Sequence, residues 1–180
     1  MTETISSRAL TPIDWQIFRS VRLKALKAHP DVYLSSYEAE VGEPENYWKE
    51  TLDGMGKRMF GLFDKDDLIG IAAVFTWRGD PTEQIGVLAM DYVDPGYRGR
   101  RLSRLFYQVR IDWALGQKQI TKLVISHRES NESSRRANQA FNFEYEGRET
   151  IRWPDGAEAE EWRYFLDLEK LRNNKFADRG

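Results

Sequence analysis

The strongest constraint on the fold is a strand-like run, Ile85 to Val93, that breaks at Asp94-Pro95-Gly96 and resumes as Tyr97-Arg98-Gly99-Arg100-Arg101-Leu102-Ser103. It then passes at once into a helix whose apolar stripe, from Leu102, takes in Leu105, Phe106, Val109 and Trp113 and ends near Gly116. Lys122-Leu123-Val124-Ile125-Ser126 reads as a buried strand. Because it follows a helix it can pair parallel to the run at 85–93, which makes a βαβ crossover. The turn between strand and helix carries Arg98, Arg100, Arg101 and Arg104 at a helix start, where the macrodipole already disfavours cations. An anion would resolve that conflict. The free N–H groups of a first helical turn converge on one, and Gly99 lets the backbone come close to it. A solvated arginine face is the plainer reading of the same run.

A chain of 180 residues suffices for one core and one domain. Hydrophobic residues make up 41% and aromatics 13%, the profile of a soluble globular protein rather than a disordered or membrane-spanning one. Net charge is -2 with no long block of like charge, which argues against nucleic-acid binding through a broadly basic surface. There is no cysteine, so disulfides, thiolate metal ligands and a cysteine nucleophile are excluded. The two histidines, His29 and His127, are far apart, and no metal is expected. Met1 to Ser7 has neither a basic n-region nor an apolar h-region, so we expect no secretory signal and a cytoplasmic location.

Before the crossover, a short strand at Arg8-Ala9-Leu10 leads to a helix carrying Trp15, Phe18, Val21, Arg22 and Ala25 that ends near His29-Pro30. Pro44 opens a second helix with Tyr47, Trp48 and Leu52, closed by Gly54 and Gly56, and the segment between the helices reads as a loop. Runs at Arg58–Phe63 and Leu68–Trp77 flank Asp64-Lys65-Asp66-Asp67, a hairpin signal. After the crossover come a polar stretch from His127, a short helix from about Ser134 to Phe141, and two strands around Trp153-Pro154-Asp155-Gly156. We read residues 1–168 as a single domain and residues 169–180 as a polar tail expected to fray.

This order, β-α-α-β-β-β-α-β-α-β-β with a phosphate-type loop after the fourth strand, resembles the GNAT superfamily of acyl-CoA-dependent N-acetyltransferases over nearly the whole chain. In that family the fourth strand ends in a hydrophobic-Val pair, then a Pro, then an Arg/Gln-x-x-Gly-x-Gly/Ala loop. Here these are Tyr92-Val93, Pro95, and Arg98 through Leu102 and Ser103, with Arg101 where Gly is usual and Ser103 where Gly or Ala is usual. A second motif on the next helix matches as Asn131, Ser134, Asn138 and Asn142-Phe143. Asn138 stands where the family often has the tyrosine that protonates the departing thiolate, and an amide cannot give up a proton at neutral pH. The general acid is left unassigned.

The resemblance implies an α/β (α+β) fold: a mixed, mostly antiparallel sheet of about seven strands flanked by helices, with a parallel βαβ core and splayed fourth and fifth strands. It implies acetyl-CoA as co-substrate, pantetheine along Tyr92 and Val93, and the pyrophosphate on backbone N–H groups from Gly99 to Ser103. Arg98, Arg100, Arg101 and Arg104 would supply charge, while Asn131 and Asn138 would line the cofactor. A neutral primary amine of a small molecule, peptide or protein would attack the thioester. Asp91, on the face of Val93, is a candidate base; the alternative is a solvated or structurally paired carboxylate. Glu38 and Glu40 are candidates for recognising a cationic acceptor, and His127 is a second candidate base, with solvated charge and buried hydrogen bonding as the respective alternatives. Tyr33, Tyr37, Tyr47 and Trp48 either line the acceptor pocket or serve as packing. The partners expected are acetyl-CoA and an amine, without nucleic acid or membrane, and a homodimer stays open. Two rival classes remain: a non-catalytic acyl-CoA-binding sensor of the same fold, and a nucleic-acid-binding domain using the arginine cluster, which the acidic balance disfavours.

Overall fold

The computed structural model describes residues 5–177, with side chains as far as residue 174. Seven strands form one sheet: β1 (Ile5–Ala9), β2 (Lys57–Asp64), β3 (Asp67–Thr76), β4 (Ile85–Val93), β5 (Lys122–Arg128), β6 (Glu144–Arg152) and β7 (Glu158–Asp167), in the order β1-β2-β3-β4-β5-β7-β6. Every neighbouring pair is antiparallel except β4 and β5. The helices are α1 (Trp15–Ala28), α2 (Tyr37–Glu40), α3 (Glu45–Leu52), α4 (Ser103–Gly116), α5 (Glu132–Ala140) and α6 (Leu168–Ala177). The mixed, mostly antiparallel sheet with its parallel crossover is the architecture expected from the sequence.

Two cores form because both faces of the central strands are covered. On one face, Phe18, Leu23 and Leu26 of α1 and Trp48 and Leu52 of α3 pack on Met59, Phe63, Ile71 and Tyr92. On the other, Phe106, Tyr107 and Ile111 of α4 pack on Leu62, Val74, Leu88, Leu123, Ile125 and Tyr164. Fully burying a side chain such as Phe106 is worth about 1.5–3 kcal/mol.

Three local expectations change. The buried face of α4 is Phe106, Tyr107, Arg110, Ile111 and Ala114, while Leu105 is exposed. The true face contains a tyrosine and an arginine, so a template that counts apolar residues selects the neighbouring stripe. The segment before α3 is not wholly loop: Ser36 caps α2 by accepting the Ala39 N–H, and Glu40 at its end is drawn into the core by Arg22 of α1. The polar tail from residue 169 continues α6, which starts at Leu168, the fully buried last residue of the domain, and the Arg172 guanidinium donates to the carbonyls of Ala114, Leu115 and Gln117. Those carbonyls lie at the C-terminal end of α4, the negative end of its dipole, where a cation is favourable.

Two departures from regularity shape the middle of the sheet. β4 carries a bulge: Ile71 pairs with Tyr92 and Ala73 with Ala89, so Ala72 faces both Met90 and Asp91, and Met90 adopts φ 62°. The extra residue reverses the alternation. Leu88 faces the α4 core, Met90 and Tyr92 face the α1 core, and Val93 packs against the α4 core again. Pairing of β4 with β5 runs from Ile85↔Lys122 to Leu88↔Ile125 and stops there, although both strands continue. Beyond that point the sheet is split.

Candidate active site

The split opens into a cleft of about 530 Å³ whose lining comes from five places: the residues just after α1, the end of β4, the loop into α4, the first turns of α4, and α5 with its N-cap. Of the residues singled out in the sequence, Asp91, Tyr92, Val93, Arg98, Gly99, Arg101, Leu102, Ser103 and Asn131 all lie on its wall. Arg100, Arg104 and Asn138 do not. Arg100 stacks its guanidinium 5.1 Å from the Tyr97 ring, and Arg104 is exposed on the first turn of α4.

The loop from β4 to α4 is anchored on both sides. Asp94 accepts the Gly96 N–H at 3.0 Å, and the Tyr97 hydroxyl donates to Asp64 at the end of β2. Arg98 folds back, donating from Nε to the Val93 carbonyl at 3.1 Å and meeting His29 Nε2 at 2.8 Å. A guanidinium can only donate, so His29 Nε2 accepts in this contact and the ring proton sits on Nδ1. Gly99 (φ 78°) and Arg101 (φ 60°) are both left-handed, which turns the loop so that α4 starts directly against the cleft. Among the described residues no hydrogen bond uses the backbone N–H of Gly99, Arg101, Leu102 or Ser103. These donors, with the positive end of the α4 dipole, form a cradle for an anion.

Asp91 sits at the floor of the cleft, its side chain 38% exposed, and is held from below by Arg110 Nη2 at 2.8 Å. Burial raises its carboxyl above the usual aspartate range, and the Arg110 charge opposes that rise. The Tyr33 hydroxyl donates to the Asp91 carbonyl at 3.0 Å, and burial pushes that phenol well above its ordinary range. Beside Asp91, Tyr107 donates to Asn138 Oδ1 at 2.6 Å. Asn138 is fully buried, does not reach the cleft lining, and its Nδ2 has no partner among the described residues. It therefore orients Tyr107, which does line the cleft, from behind the wall. Asn131 is the N-cap of α5, its Oδ1 accepting the Ser134 N–H, which explains an Asn followed three residues on by a small residue.

Other candidates are drawn elsewhere. Glu40 is buried in a bidentate pair with Arg22 (2.7 and 3.0 Å), so its carboxylate has no face left for an acceptor, and Glu38 is exposed on α2. Trp48 is core, and Tyr47 packs edge-on against it. His127 lies within β5, buried and stacked on Tyr164 at 5.4 Å, with Nδ1 at 2.8 Å from the Arg128 carbonyl; burial lowers its pKa. Sequence reasoning missed His29, Tyr107 and Arg110 as members of the site. His29 lies nearly seventy residues from its partner Arg98, and only the fold joins them. The signal for Arg110 was present: a charged residue one turn after Phe106 in an apolar helix. Among the described residues no group of acidic or histidine side chains could hold a metal, and no helix is long and apolar enough to cross a membrane.

A split parallel pair beside a phosphate-type helix start defines a nucleotide-cofactor transferase fold of the acetyltransferase kind. The chain belongs to the acetyltransferase (GNAT) family, whose model matches residues 22–143. It is similar in fold to an N-acetyltransferase from Staphylococcus aureus Mu50, at 23% identity and a TM-score of 0.79, covering 92% of this chain and 99% of that one. It is also similar to a spermidine N-acetyltransferase from Vibrio cholerae in complex with CoA and spermine (14% identity, TM-score 0.76, 92% and 96% covered). A third likeness is to a ribosomal-protein alanine acetyltransferase from Vibrio fischeri (17%, 0.76, 93% and 95%). No curated protein matches the sequence at a significant level.

Proposed function

We propose that the cleft binds acetyl-CoA and passes its acetyl group to a primary amine of a small molecule or peptide, working in the cytoplasm where the acyl donor is at hand. One observation carries this reading: the unpaired edge of β4 beyond Leu88 runs straight into the cradle of free N–H groups at Gly99, Arg101, Leu102 and Ser103. Pantetheine adds to that edge at Tyr92 and Val93 as an extra strand would, and the pyrophosphate meets the cradle and the start of α4. Arg98 and Arg101 on the wall add charge to it, and Arg104 on the exposed first turn reaches the outer phosphate.

The amine enters from the side of His29, Val32 and Tyr33, opposite α5. It must lose a proton before attack, and Asp91 takes that proton directly or through one water. A carboxyl raised above its usual range by burial, with the Arg110 charge opposing that rise, is suited to that task. The solved relatives act on acceptors as different as a polyamine and a ribosomal-protein alanine, so the fold does not select the amine.

Three measurements test the reading. Calorimetry with CoA should show binding in the micromolar range, weakened by charge reversal at Arg98 or Arg104; a folded protein that ignores CoA ends it. An amine library with acetyl-CoA, followed by free-thiol release, then finds the acceptor. With that acceptor, Asp91→Asn should lower the rate about a hundredfold while CoA affinity holds. An unchanged rate and pH profile would return Asp91 to a structural role.

A further inference from the structure

Nothing in binding the acyl donor calls for Arg110, yet its guanidinium is fully buried in the middle of the inner face of α4. A buried charge is costly unless its protons find partners, and an aliphatic side chain at that point would pack without the cost. The partners it has are specific. Nε donates to the Phe106 carbonyl at 3.0 Å, Nη1 lies 3.3 Å from the Ala73 carbonyl and 3.5 Å from that of Ala89, and Nη2 reaches both carboxylate oxygens of Asp91. Ala73 and Ala89 flank the point where the β3–β4 ladder is broken by the extra residue, and a bulge leaves such carbonyls short of partners. Asp91 is the second of the two bulge residues opposite Ala72, and the reversed alternation is what turns it towards α4.

We propose that Arg110 is a positioning residue for acyl transfer: its guanidinium holds the bulge of β4 in place and fixes the Asp91 carboxylate in the cleft. The share in proton transfer rests on Asp91 being the base proposed above; the share in the bulge does not. The other groups that face Asp91 are Tyr107 from α4, whose hydroxyl is turned to Asn138, and Tyr33, whose hydroxyl is turned to the Asp91 carbonyl. Arg98 stands at the cleft mouth on His29, and Arg128 of β5 is paired with Asp155. None of these replaces the guanidinium. Without it, burial acts on Asp91 unopposed, so the carboxylate takes up its proton at higher pH.

The experiment compares Arg110→Leu and Arg110→Lys with wild type by NMR titration of the Asp91 carboxyl and by calorimetry with CoA, neither of which needs the acceptor. In Arg110→Leu, Asp91 should titrate at higher pH and CoA affinity should fall about tenfold or more as the strand edge relaxes. Once an acceptor is in hand, turnover at pH 7 should fall about a hundredfold, with its acid limb displaced upward. Arg110→Lys keeps a charge without the fork, so the titration should stay nearer wild type while CoA affinity still falls. Should Arg110→Leu not fold, the double variant Asp91→Asn/Arg110→Leu removes both charges together and should bind CoA more weakly than Asp91→Asn alone. A folded Arg110→Leu with wild-type titration and affinity, or a double variant that binds CoA as Asp91→Asn does, overturns the proposal. If instead Asp91→Asn keeps full turnover while Arg110→Leu shifts both titration and affinity, the bulge role stands and the base assignment falls.

Discussion

Arg101 occupies a left-handed conformation that costs a residue with a Cβ about 1–2 kcal/mol, at the position where the family usually has glycine. The backbone has kept the glycine geometry although the side chain has changed. Arg101→Gly should therefore fold at least as well and keep micromolar CoA binding, whereas Arg101→Val, β-branched and ill-suited to positive φ, should lose both stability and affinity. Thermal denaturation and calorimetry on the two variants check this. Tyr107 offers a second test at this scale. Its hydroxyl is the partner of Asn138 Oδ1, so Tyr107→Phe leaves a fully buried amide with less to bond, and should cost about 1–3 kcal/mol by urea denaturation. A neutral result would mean that the pair contributes nothing to holding the cleft wall.

Among elements, β3 and β4 are pressed together where the cleft begins. A Cβ added at Gly70 would lie 2.7 Å from the Tyr92 carbonyl and 3.3 Å from the Phe106 ring, and the carbonyl is backbone that cannot swing aside. Gly70→Ala should thus destabilise by about 1–3 kcal/mol and weaken CoA binding more than Gly42→Ala, where nothing lies within 4 Å. Equal effects of the two substitutions would remove the steric argument. The crossover of β4, α4 and β5 was legible in the sequence because its periods are long and its punctuation, Asp94-Pro95-Gly96, is strong. The inner face of α4 was not, because Tyr107 and Arg110 belong to it and hydrophobic counting passes over both. α6 escaped for a related reason: its polar composition suggests a tail, and only Leu168 and the contact of Arg172 with the end of α4 make it an element.

For the molecule as a whole, buried titratable groups set how stability responds to pH. His127 is buried with a lowered pKa, so the unfolded chain takes a proton near pH 6.5 that the folded chain refuses until lower pH. Its contribution is full above about pH 6.5 and is lost as pH falls through the folded value. Asp14, lowered chiefly by its hydrogen bond to Arg8, adds a second loss with the same sign below the ordinary carboxylate range. Asp91 has the opposite sign: raised in the folded state, it favours folding at acid pH and works against it as pH rises through the folded value. Urea denaturation at pH 7, 6 and 5 should show declining stability in wild type, and His127→Phe should flatten that decline; parallel curves would mean that another group carries it. Residue types, spacing and the family resemblance together singled out Gly99, Leu102, Ser103 and Asn131, and the fold brings all four to the wall of one cleft. On the opposite wall Asp91 and Tyr33 were named from the sequence but His29 was not, since these residues meet only through a fold that joins distant parts of the chain.

The reversal at Met90 carries a consequence for how such a site can change. Which side chains enter the cleft from β4 depends on a parity: Asp91 and Val93 face α4 because an odd residue precedes them. Substitution leaves that parity untouched, while loss or gain of one residue between Leu88 and Asp91 inverts it and would present Tyr92 where Asp91 now stands. The address of the carboxylate is thus a count rather than an identity. Variation in chain length by one within β4 would rewrite the chemistry of the cleft with the rest of the scaffold unaltered.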